Sequence, residues 1–142
     1  GLDFDDFQSS RDYSTFPVYG RSKLANILFT QELARRESDT GVAANCFHPV
    51  FVGSDFSKNN VSWARIMMKL GSPFSRSPEK GAETGVYLCT SPEVANTSGG
   101  YFFDMKKIEP SAAVFSPGDA QRLWDISLSL AGLDNEDSET AA

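Results

Sequence analysis

Tyr19 and Lys23 stand four residues apart in the run Tyr19-Gly20-Arg21-Ser22-Lys23. On a helix that spacing stacks a phenol and an ammonium on one face, about 5–6 Å apart at Cβ. A carbonyl that receives a hydride needs a proton on its oxygen, and a positioned phenol can give that proton or take it back in the reverse direction. A unit charge about 5 Å from the phenolate, at an effective dielectric near 20, favours the ionised form by about 3 kcal/mol. Lys23 alone therefore makes an incomplete acid of Tyr19, and a further donor or a positively charged ring has to complete it. The spacing by itself also occurs on plain surface helices, so the surrounding elements decide its meaning.

The element that must carry the pair is a helix predicted from about Pro17 to Glu37. Ser14 and Thr15 offer hydroxyl caps, and Pro17 suits a first turn. Leu24, Ile27, Leu28 and Leu33 recur at helical spacing, Arg35 and Arg36 fall where cations favour the helix dipole, and Gly41 closes the turn. Val42 to Phe47 then reads as a short buried parallel strand that ends at His48-Pro49. A second helix is expected from Ser77-Pro78 to about Cys89, followed by an aromatic strand over Tyr101–Met105. A closing helix is expected behind Ser116-Pro117-Gly118-Asp119, with Ala120, Leu123, Trp124, Ser127 and Leu128 on one face. Between 51 and 77 the pattern is a loop bearing one amphipathic segment, with Trp63, Ile66, Met67 and Leu70 at helical spacing.

The Tyr-Lys helix, the strand that follows it and His48-Pro49 at the strand end resemble the short-chain dehydrogenase/reductase family. Ser22-Lys23-Leu24-Ala25-Asn26-Ile27-Leu28-Phe29 with Leu33-Ala34-Arg35-Arg36 is similar to its retinol dehydrogenase-like branch. The resemblance spans roughly Phe4 to Leu130. It implies an α/β fold, the C-terminal part of a doubly wound Rossmann-like parallel sheet whose N-terminal nucleotide-binding half is missing from this chain. It also implies carbonyl reduction or alcohol oxidation with NADP(H) or NAD(H), NADP(H) being the choice of much of that branch. Tyr19 becomes the acid/base, and Lys23 favours its ionised form and bonds the nicotinamide ribose. Pro49, Val52 and Ser54 become cofactor contacts, Ser54 standing where the family has Thr. The family's Pro-Gly motif departs here to Pro49-Val50, and Val50 cannot adopt the positive φ open to glycine. The substrate implied is a lipophilic alcohol, aldehyde or ketone, for which the apolar 63–70 segment is either a lid or ordinary core. Gly81 and Gly85 lie in a region that contributes a dimer contact in some members, which raises a homo-oligomer.

Composition bounds the remaining readings. The 142 residues carry a net charge of −6, which disfavours nucleic acid and anionic membrane surfaces as partners. One histidine and two distant cysteines do not make a metal site, and Asp3, Asp5 and Asp6 lack the glycine and glutamate of a calcium loop. No apolar run has the length of a membrane span, Cys46 and Cys89 read as small buried thiols, and a cytoplasmic location is expected, with N-terminal targeting signals not visible. Residues 1–133 are read as part of one oxidoreductase domain and 134–142 as an acidic disordered tail. The alternative function is a truncated, inactive chain that acts as an interaction or regulatory module through its exposed sheet edge.

Overall fold

A computed structural model of the chain describes residues 1–49, 76–110 and 118–133. The elements are α1 (Thr15–Arg36), β1 (Cys46–Phe47), α2 (Pro78–Thr90), a 3-10 turn (Pro92–Val94), β2 (Tyr101–Phe103), β3 (Lys106–Ile108) and α3 (Asp119–Ala131). The strands form one sheet in the order β1-β2-β3. Two compact units are distinguished: Gly1–Cys46, Asn96–Tyr101 and Glu109–Ala142 in the first, Phe47–Ala95 and Phe102–Ile108 in the second.

In the first unit α1 packs along α3. Leu28 of α1 and Leu123 of α3 are its most buried apolar side chains, at 1% and 3% exposure. Phe29 stacks on Trp124 with ring centroids 5.1 Å apart, and the Arg36 guanidinium covers the Trp124 ring at 4.6 Å. α1 begins two residues earlier than expected, and Ser14 caps it through backbone geometry alone, with no side-chain bond. Gly41 adopts φ 79°, the left-handed conformation in which a Cβ is costly, and turns the chain toward β1. The expected strand over 42–47 is shortened to Cys46–Phe47, and side-chain bonds stand beside the ladder just before it. Ala44 N donates to Ser98 Oγ at 3.1 Å, and the Asn45 side chain bridges Thr97 O and Gly100 N at 2.6 and 2.9 Å.

Gly99 N donates to Ala44 O at 2.7 Å and Cys46 N to Gly100 O at 3.0 Å, while His48 N donates to Phe102 O at 2.9 Å. Partners that advance together along both strands make β1 and β2 parallel. The run expected as a strand over Tyr101–Met105 instead breaks at Asp104 and Met105, whose φ of 48° and 60° form a two-residue hairpin turn into β3. The sheet is accordingly mixed, with an antiparallel edge strand added to the parallel pair. α2 opens as expected, Ser77 Oγ accepting from Lys80 N at 3.2 Å with Pro78 in the first turn. In the second unit Thr84 Oγ1 accepts from Met105 N at 3.3 Å, and Arg76 pairs with Asp104 through both guanidinium nitrogens. Gly85 lets the Phe47 ring approach to where a Cβ would stand only 3.1 Å away, the close packing that the glycine pair of this helix suggests.

α3 is capped by Gly118 at φ 94°, without a side-chain bond, and Ser116 and Pro117 lie outside the described residues. So do the 63–70 segment and the 134–142 tail. Cys46 is half buried, with burial pushing its thiol up, but Cys89 is exposed on α2, contrary to the expectation of two buried thiols. Leu28→Ala removes the most buried apolar side chain and should destabilise the protein by about 2–5 kcal/mol in denaturant unfolding, whereas Val86→Ala, at an exposed position, should cost under about 1 kcal/mol.

Candidate functional site

Tyr19 and Lys23 come together on the first half of α1. The Lys23 ammonium lies over the Tyr19 ring, 5.2 Å from its centroid, and Tyr19 leaves 50% of its surface exposed. The carbonyl of Tyr19 accepts from Ser22 Oγ at 2.8 Å, so the serine hydroxyl beside Lys23 is turned back onto the helix. Pro49 is exposed and follows His48, whose ring is 6.0 Å from that of Phe103. Val50, Val52 and Ser54 lie outside the described residues. Tyr19 and Lys23 belong to the first unit and Pro49 to the second.

The helix that carries the pair is anchored at both ends. Toward its N-terminus, Asp3 Oδ2 is 3.7 Å from Arg21, and the Asp3 Oδ1 atom accepts from the backbone of Asp5 and Asp6 at 3.2 Å each. Burial disfavours the ionised Asp6 carboxyl, but the amides of Arg11, Ser10 and Asp12 and the Ser10 hydroxyl outweigh it and hold the carboxyl below its usual range. The acidic opening is thus a set of turn-forming acceptors. The Phe4 ring in the same segment is covered by Arg122 of α3 at 4.3 Å.

Toward the C-terminus, Glu32 is 3% exposed and receives Arg35 in a two-pronged contact at 2.9 and 2.6 Å and Arg36 at 2.8 Å. The bonds from Arg35 first, then those from Arg36, hold its carboxyl low against the opposing effect of burial. Sequence reasoning placed Arg35 and Arg36 against the helix dipole and passed over Glu32. The i,i+3 and i,i+4 spacings were the available signal. Phe16 was likewise read only as part of the helix start, yet it leaves 71% of its surface exposed one turn before Tyr19.

Among curated proteins, the chain is 40% identical to retinol dehydrogenase 14 of Homo sapiens over 93% of its own length. It is 38% identical to retinol dehydrogenase 12 of Mus musculus over 92% and 35% identical to retinol dehydrogenase 13 of Homo sapiens over 94%. The chain is similar, over nearly all of its own length, to members of the short-chain dehydrogenase/reductase family. It is similar to the retinol dehydrogenase-like branch of that family and spans 40–42% of the length of these relatives. No family model matches it. No helix among the described residues is long and apolar enough to cross a membrane.

Because Glu32 ionises more readily in the folded protein than in the unfolded chain, the stability it contributes is present above its ordinary value near 4.5 and is lost as pH falls through the lowered folded value. Glu32→Gln should therefore cost roughly 1–3 kcal/mol at pH 7, and the difference from wild type in unfolding free energy should shrink as pH is lowered from 5 toward 3.

Proposed function

We propose that the full protein containing this chain is a nicotinamide-dependent oxidoreductase that interconverts a lipophilic alcohol with its aldehyde or ketone, with Tyr19 as general acid/base and Lys23 as its charged partner. The observation that carries this reading is the ammonium of Lys23 set against the ring of a half-exposed phenol on a well-anchored helix. The names of the relatives support the reaction class, and their greater length supports a doubly wound sheet whose nucleotide-binding half is supplied by residues outside this chain.

The donor set fits a nicotinamide nucleotide. A phenol and an ammonium side by side on an exposed helix face can bind vicinal ribose hydroxyls, the ammonium as donor and the phenolic oxygen as acceptor. Pro49, Val52 and Ser54, which follow β1 in the sequence, are proposed as further cofactor contacts. NADP(H) or NAD(H), when bound, supplies or accepts the hydride.

In the reductive direction the Tyr19 hydroxyl donates its proton to the substrate oxygen as that oxygen gains negative charge, leaving a phenolate. Lys23 stabilises this anion at short range, an effect that strengthens as water is excluded from the closed site. In the oxidative direction the same phenolate takes the alcohol proton, so one pair serves both. The Tyr-Lys pair on an anchored helix favours the oxidoreductase reading over that of an inactive interaction module.

In the full-length protein, Tyr19→Phe should lower kcat by about 10²- to 10⁴-fold while cofactor affinity, measured by fluorescence titration, falls by no more than about tenfold, the loss of one ribose hydrogen bond. Turnover within tenfold of wild type would rule Tyr19 out as the acid/base.

A further inference from the structure

In the second unit, two stretches far apart in sequence meet on the β2–β3 hairpin. His48 N donates to Phe102 O at 2.9 Å, and the His48 ring stands 6.0 Å from the Phe103 ring. The Arg76 guanidinium lies 5.9 Å from the centroid of that same ring. It also grips the Asp104 carboxylate with two nitrogens, Nη1 on Oδ1 and Nη2 on Oδ2, the latter at 2.9 Å. These bonds from Arg76, with the charges of Lys80 and Lys106 nearby, hold the Asp104 carboxyl below its usual range. Asp104 has φ 48°, a left-handed backbone that a residue with a Cβ keeps only where its surroundings impose it. The next residue supplies part of that constraint, Met105 N donating to the buried Thr84 Oγ1 at 3.3 Å.

We infer that Asp104 is a positioning residue for the proposed cofactor contact at Pro49, acting through Arg76 and Phe103 on His48. This rests on the oxidoreductase reading above and adds to it the residue that sets the strand end behind the contact. Asp104 holds Arg76 through charge and carries Phe103 as its chain neighbour, and Phe103 meets the residue just before Pro49. With the pair intact, the hairpin turn and the end of β1 are held as one piece. A ligand that needs one arrangement of its contacts binds more weakly in proportion to the fraction of molecules that lack it. A bidentate but partly exposed ion pair shifts such an equilibrium by about 3- to 10-fold. Tyr19 and Lys23 lie in the other unit, so the loss falls on cofactor affinity and not on the proton-transfer step.

The test measures Kd for NADPH and NADH by fluorescence titration, and kcat for decanal reduction at saturating cofactor, in the full-length protein. Asp104→Asn keeps a residue that tolerates left-handed backbone and removes the charge. It should raise the Kd of the preferred nucleotide by at least about threefold and lower kcat by less than about twofold. Arg76→Met should do the same and serves if Asp104→Asn fails to fold, and the double variant should bind about as weakly as either single one. Tyr87→Phe breaks a 3.0 Å bond to Glu93 elsewhere in the same unit and should leave Kd unchanged. A rise below about threefold in the folded variants, whatever they lose in Tm, makes the ion pair a purely structural contact and overturns the inference while leaving the oxidoreductase reading in place. An equal rise in Tyr87→Phe reports general loosening of the unit and overturns it too. A wild-type protein that binds neither nucleotide overturns that reading and this inference together.

Discussion

An ammonium held against a phenol ring is the contact on which the functional reading depends. At an exposed position a cation-π contact of this kind contributes only about 0.5–1 kcal/mol, too little to hold a helix in place. Its importance is electrostatic, because the same charge close to a phenolate is worth several times more once water is excluded. The fold must therefore hold Tyr19 and Lys23 by other means, and leave the ring half exposed.

α1 meets both demands by dividing its length. Its second half is sealed by Leu28, by the Phe29–Trp124 stack and by the Glu32 carboxylate gathered between Arg35 and Arg36. Truncating either arginine would leave a buried charge less well compensated, which makes this end of the helix intolerant of change. Its first half carries Phe16, Tyr19 and Lys23 outward and is steadied by the turn-forming aspartates at the chain's start. Burial of the second half and exposure of the first place the proposed acid/base pair on anchored secondary structure without burying it.

The strongly periodic parts of this design were legible in the sequence. α1 was expected within two residues because its apolar spacing, Pro17, the terminal arginines and Gly41 all agree, and Ser77-Pro78 marked the start of α2 in the same way. The Tyr19–Lys23 contact follows from helical spacing alone. What escaped was decided by partners far away in sequence. The strand over 42–47 is shortened where Ala44 N and the Asn45 side chain bond to Ser98, Thr97 and Gly100, more than fifty positions on. The hairpin at Asp104-Met105 was hidden because its turn has left-handed backbone at two residues other than glycine, where Arg76 pairs with the Asp104 carboxylate. Cys89 sits in an apolar run yet is exposed, one residue before the end of α2 at Thr90.

The most direct test of the central claim is a double-mutant cycle on kcat at saturating cofactor in the full-length protein. If Lys23 acts through the Tyr19 phenolate, Lys23→Met should lower kcat by about 10²-fold in the wild-type background, the kinetic equivalent of about 3 kcal/mol, and by less than about threefold in a Tyr19→Phe background. Equal losses in both backgrounds would mean that the two side chains work independently and would contradict the account.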